Sequence, residues 1–228
     1  MKILVLLEKR SDILLKTNER NKKVLIIHHC GSIGGAGLSL LHILKALKQL
    51  PLDVTVYCPD RPMDMINEIN KLGYECISEP TTIPIIEHFS GSDRFFMDYR
   101  NIRNLVDISK RKNDLKKLIK DFSPDIIAVN SMTLAYVGKI AKSMGIKSIC
   151  FHRETYAKGL FGLRTKYIKK SLSDDFDKVV FISKFDLEQS GHMKSKNFVI
   201  TDKVILNEFA KNDRDMDCLL YTSPSPRD

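Results

Sequence analysis

The sequence predicts a doubly wound α/β fold: a parallel, Rossmann-like sheet with helices on both faces. Three observations carry this. Residues 24–27, Val-Leu-Ile-Ile, form a continuous apolar run, as a strand covered on both faces requires. Glycines follow at 31, 34, 35 and 37, and then Leu38, Leu41, Ile43, Leu44 and Leu47 recur at helical spacing. The same alternation of short apolar run and helical pattern continues to about residue 206.

Each element follows in order. Residues 53–58 read as the second strand, closed by Pro59, and residues 62–72 as a short helix with Gly73 beyond its end. Residues 74–77 read as a third strand. Residues 80–92 read as a long loop holding an extended piece, 83–86. Residues 96–122 carry apolar positions at helical spacing between charges, one or two helices with solvated outer faces. Residues 126–129 are the next strand, running into Asn130 and Ser131, with a helix over 133–144 that ends at Gly145. Residues 147–151 form a strand ending in His152-Arg153-Glu154. Residues 156–173 read as a flexible basic stretch. A strand over 177–182 leads to Ser183-Lys184 and a helix over about 185–190, and residues 203–206 form the last strand. The count is six or seven strands in one sheet.

The glycine-rich turn is the first candidate site. Glycine lets a backbone approach a ligand closely, and a helix N-terminus offers N–H groups to an anion. Gly34, Gly35, Ala36 and Gly37 are therefore candidate diphosphate or sugar-phosphate ligands; the plainer alternative is a tight strand–helix turn with no ligand. In open parallel sheets the ligand crevice lies outside the carboxyl ends of the strands. Asn130, Ser131, His152, Arg153, Glu154, Ser183 and Lys184 all fall there, so Gly35, His152 and Arg153 are expected to line one cleft. Helix capping is the competing role for Ser183, Asn130 and Ser131, a capping or core position for His152, and a surface ion pair with Glu154 for Arg153.

Composition narrows the function. The chain has 228 residues, 43% hydrophobic and 29% charged, an ordinary globular balance. The net charge of +9 is compatible with anionic partners. No block of five basic residues and no aromatic–basic RNA-binding motif occurs, which argues against nucleic acid. No apolar stretch reaches the roughly 18 residues of a membrane span, and residues 1–8 are too short for a signal peptide. The five cysteines are scattered without CxxC spacing, as free thiols in a reducing cytoplasm would be. Residues 160–170 interleave apolar and basic side chains, a pattern for peripheral contact with anionic lipid or for a packed amphipathic helix.

Residues 1–21 are an extension that the pattern leaves unplaced, 22–210 the Rossmann-like domain, and 211–217 the start of a linker. Residues 218–228 fit no element. Their back-translation resembles the transposon-end adapter of short-read sequencing libraries, so they are set aside as adapter read-through, and the natural gene is expected to continue.

Four stretches together resemble the N-terminal half of a family 4 glycosyltransferase of the GT-B type, over residues 22–210. They are the strand and glycine turn ending in Gly34-Gly35-Ala36-Gly37, the strand end Phe151-His152-Arg153-Glu154, the stretch Asp177-Lys-Val-Val-Phe-Ile-Ser183-Lys184-Phe185, and Lys203-Val-Ile-Leu-Asn207-Glu208-Phe209. Asn-Glu-Phe stands at the last where the family usually has Asn-Gly followed by an apolar residue. The resemblance implies an acceptor-binding domain facing a second domain that holds most of the nucleotide-sugar donor and the family's paired glutamates. It implies sugar transfer with retention to a saccharide or lipid-linked acceptor, a cytoplasmic enzyme at the inner face of a membrane, no cofactor and no metal, and no turnover by this half alone. On it, His152 is the candidate catalytic residue, Gly34–Gly37 bind the donor diphosphate, and Asn130, Ser131, Arg153, Glu154, Ser183 and Lys184 line the acceptor cleft. Two other classes stay open. An NAD-binding dehydrogenase domain would use Asp60 past the second strand, although Leu40 stands where G-x-G-x-x-G needs its third glycine. A non-catalytic sugar- or protein-binding module needs neither.

Overall fold

A computed structural model describes residues 21–79, 83–86, 95–156, 162–191 and 197–201. Among the described residues, seven parallel strands form one sheet in the order β3-β2-β1-β4-β5-β6-β7. The strands are β1 Lys22–Ile27, β2 Leu52–Pro59, β3 Glu75–Glu79, β4 Ile126–Val129, β5 Lys147–His152, β6 Lys178–Phe181 and β7 Asn197–Val199. The helices are α1 Gly35–Leu47, α2 Asp64–Lys71, α3 Phe95–Phe122, α4 Tyr136–Ser143, α5 Leu163–Asp174 and α6 Lys184–Ser190.

The strand order reverses at β1. The chain winds outward through β2 and β3, then returns to place β4 on the other flank of β1, with Ile27 paired to Tyr57 on one side and Val129 on the other. Such a switch point leaves a crevice at the carboxyl ends of the two central strands.

Alternate side chains of each strand feed two cores. Val24, Ile26, Val56 and Ala128 meet Leu40 and Leu44 of α1 and Ile66 and Ile69 of α2 on one face. Leu25, Ile27, Ile127, Cys150 and Phe181 meet Ile119 of α3, Ile140 of α4 and Ile168 of α5 on the other. Burial on both faces explains why the strands read as unbroken apolar runs. Two aspartates at strand starts fix register: Asp125 accepts from the Lys23 N–H at 2.8 Å, and Asp177 from the Ser148 N–H at 2.9 Å.

Several expectations change in detail. The stretch over 95–122 is a single helix. The helix expected over 133–144 opens as a 3-10 turn, Met132–Leu134, because the Ser131 hydroxyl accepts from the Thr133 N–H at 3.0 Å; α4 starts only at Tyr136. The segment read as flexible holds α5, whose Ile168 and Leu172 are buried. A strand at Asn197–Val199 pairs with β6 and was not expected. The expected strand over 203–206, the extension 1–20, the linker and the tail over 218–228 lie outside the described residues.

Candidate functional site

The site begins where β1 ends. Gly31 follows two residues after His29, and a Cβ there would lie 2.1 Å from the carbonyl oxygen of Pro62. Only glycine fits this approach of the two loops, and the Gly31 carbonyl accepts from the Met65 N–H at 2.8 Å. Gly34 caps α1 without a side chain, and the first turn holds no acidic residue. The opening N–H groups of a helix have no partner within it. Gly34 and Gly35 are exposed, and a Cβ on either would meet nothing within 4 Å. Neither is demanded by local packing. An open, uncapped helix end at the switch point suits an anion.

Beneath this turn lie polar groups. His28, at 0% exposure, follows β1, and Asn130, also at 0%, follows β4. Asn130 Nδ2 donates to the Ala36 carbonyl at 2.8 Å and lies 3.2 Å from His28 Nδ1. Arg153 Nε donates to Asn130 Oδ1 at 3.4 Å, and the guanidinium lies 5.5 Å from the Phe151 ring centroid. Burial lowers the His28 pKa to about 3, helped by His29 and then Arg153; burial lowers His29 to about 4. Both imidazoles are therefore neutral at pH 7. The His28 and His29 rings meet edge to face at 4.9 Å. His28 Nε2 has no hydrogen-bond partner among the described residues.

The structure links the glycine turn to Arg153 through Asn130, but His152 departs from that group. Its side chain is 0% exposed and lies between Tyr156, at 4.9 Å, and Phe181, at 4.8 Å between ring centroids. It alternates with Phe151 along β5 and shares the face of Cys150, opposite the face that α1 covers. The single cleft expected for Gly35, His152 and Arg153 is thus not formed: His152 is a core histidine, and Arg153 keeps the glycine-turn side.

Glu154, Ser131 and Thr133 form a second cluster. The Ser131 hydroxyl donates to Glu154 Oε1 at 2.5 Å, and the Met132 N–H donates to Oε2 at 3.2 Å. Burial raises the Glu154 pKa; the bonds from Ser131 and Met132 and the Arg153 charge pull the other way. The carboxyl group caps the 3-10 turn. Glu154 and Arg153, though adjacent, turn to different partners. Ser183 caps α6: its hydroxyl accepts from the Asp186 N–H at 3.0 Å. Asp186 in turn accepts from Thr155 at 3.3 Å. Lys184 is exposed at the first position of that helix. The residues that sequence reasoning passed over are His28 and His29; their one signal was a histidine pair set between a buried strand and a glycine-rich turn.

The model of Glycosyltransferase Family 4 matches residues 33–197. Over 118 residues the chain is 30% identical to the UDP-N-acetylglucosamine–N-acetylmuramyl-(pentapeptide) pyrophosphoryl-undecaprenol N-acetylglucosamine transferase of Thermosipho melanesiensis, a match covering 51% of this chain and 34% of that protein. Among solved structures, a glycosyltransferase from Rickettsia africae superposes with a TM-score of 0.54 at 18% identity, over 91% of this chain and 51% of that one. Arabidopsis thaliana UGT89C1 in complex with UDP-L-rhamnose superposes with a TM-score of 0.53 at 16% identity, over 90% and 56%. At those identities the two structures show a shared fold. The chain spans about a third of the curated relative and about half of each structure. The family match runs from the glycine-rich turn to the last described strand, and the chain belongs to glycosyltransferase family 4.

Proposed function

We propose that this fold is the acceptor-side half of an enzyme that moves a sugar from a nucleotide-sugar donor to a saccharide or lipid-linked acceptor, with retention as the family resemblance implies. The observation that carries the reading is the open, uncapped N-terminus of α1 at the switch point, with Arg153 held beside it through Asn130. Charge grows on the diphosphate as the sugar leaves. Fixed N–H groups and a guanidinium stabilise that charge without reorganising. The Thermosipho relative is named for a UDP-sugar donor and a pyrophosphoryl-undecaprenol acceptor, which supports a nucleotide donor and a lipid-linked acceptor here. The resemblance assigns the paired glutamates to a second domain, so residues 22–210 bind without transferring.

On this reading the enzyme works in the cytoplasm, against the inner face of a membrane. No described helix is long and apolar enough to cross one. Helix α5 turns Ile168 and Leu172 inward and leaves Leu163, 65% exposed, and Tyr167, 41% exposed, beside exposed Lys166 and Lys170. An apolar edge flanked by lysines suits an anionic lipid surface.

The test is transfer by the whole protein from a panel of nucleotide sugars to saccharide and polyprenyl-diphosphate acceptors, read by mass spectrometry. A sugar-bearing product is expected. Absence of product with every donor, together with absence of nucleotide binding, overturns the reading.

A further inference from the structure

We propose that Asn130 is a positioning residue that holds the glycine-rich turn and the Arg153 guanidinium as one anion-binding unit; the proposal rests on the reading of that turn as the seat of the donor diphosphate. A carboxamide has two N–H donors and one carbonyl acceptor. Asn130 engages all three kinds of contact, on three different elements: the Ala36 carbonyl in the first turn of α1, His28 Nδ1 at the end of β1, and Arg153 Nε beyond β5. The orientation has no free alternative. Turning the amide over would set its oxygen against the Ala36 carbonyl and its N–H groups against Arg153.

Two consequences reach the site. In a trans peptide the C=O of one residue and the N–H of the next point in opposite directions. Holding the Ala36 carbonyl inward therefore directs the Gly37 N–H toward the free end of α1. Second, because His28 Nδ1 accepts, the proton of this neutral ring sits on Nε2. Nε2 lies 3.9 Å from the point where a Gly37 side chain would begin, so the buried donor faces the first turn itself. A fully buried polar atom without a partner at this turn is a second mark of a site built for a ligand. Arg153 adds the formal charge, and its reach is set by Asn130 on one side and the Phe151 ring on the other.

The test is calorimetric titration of the 228-residue chain with inorganic pyrophosphate at fixed ionic strength, as a double-mutant cycle of Asn130→Leu and Arg153→Ala. Each single change is expected to weaken binding about tenfold, and the double variant little further, because an unanchored guanidinium has already lost its contribution. A double variant weakened by the product of both singles overturns the proposal alone. A wild-type chain indifferent to pyrophosphate overturns the diphosphate seat, and the proposal with it. If Asn130→Leu does not fold, the wild-type chain still decides by NMR. The Asn130 side-chain amide and His28 ring nitrogen signals are expected to shift together with the Gly35 amide as pyrophosphate is added. A Gly35 response with Asn130 and His28 unmoved overturns the proposal.

Discussion

The side-chain amide of Asn130 lies 3.2 Å from Nδ1 of His28, joining the ends of two neighbouring parallel strands across 102 residues of sequence. The contact requires a neutral imidazole, and the surroundings enforce one. Folding holds His28 at about 3 and His29 at about 4, against an ordinary value of 6.5. Between those values the unfolded chain binds the protons and the folded chain does not. The stability these histidines contribute is therefore complete above about pH 6.5 and is lost as pH falls toward 3, at up to about 1.4 kcal/mol per pH unit for each group. Urea midpoints from pH 7 down to 4.5 should fall steeply in the wild type and less steeply in His28→Gln. Glu154 acts with the opposite sign: its raised pKa gives stability present at low pH and lost as pH rises through that value. Repeating the series in Glu154→Gln separates the two. Equal slopes for wild type and His28→Gln would refute the assignment.

His152→Ala should cost stability rather than chemistry. The ring fills a closed space between Tyr156 and Phe181. Emptying it should lower the unfolding free energy by about 2–4 kcal/mol, as for other large-to-small core changes. Thermal melts check this directly. A stable His152→Ala protein with a large loss of turnover would restore the catalytic role that the sequence had led one to expect.

Gly35 and Gly31 should respond oppositely. Gly35→Val places its side chain in open space, so the melting temperature should stay within a few degrees while donor affinity in the whole enzyme falls. Gly31→Ala drives a Cβ to 2.1 Å from the Pro62 carbonyl and should destabilise the fold by about 2 kcal/mol or more. A Gly35→Val enzyme with unchanged donor affinity would argue against the diphosphate seat.

Ser183→Ala removes the cap of α6 and should cost about 1 kcal/mol, with nucleotide-sugar affinity unaltered. Denaturant unfolding measures the first quantity and calorimetry the second. A marked loss of affinity would return Ser183 to the cleft.

Much of the architecture is local and was legible. Apolar runs of strand length, helical spacing after Gly37 and glycines beyond helix ends are short-range signals, and they placed β1, β2, β4, β5 and β6 within a few residues. The segment that holds α5 misled because its basic side chains hide Ile168 and Leu172, whose spacing makes sense only with a sheet to bury them. β7 was passed over because Asn197–Val199 is three residues long and takes its strand character from pairing with β6.

The sequence by itself determined the class of fold, the position of the glycine-rich turn at the end of the first strand, and the edge of the sheet where polar residues gather. The tertiary structure alone decided which of those residues share a site. Along Cys150-Phe151-His152-Arg153 successive side chains point to opposite faces, but a strand buried on both faces shows no polar alternation to say which face is which. Only the helices laid against the sheet distinguish them. α1 covers the side that Arg153 joins through Asn130, while the other core closes over His152.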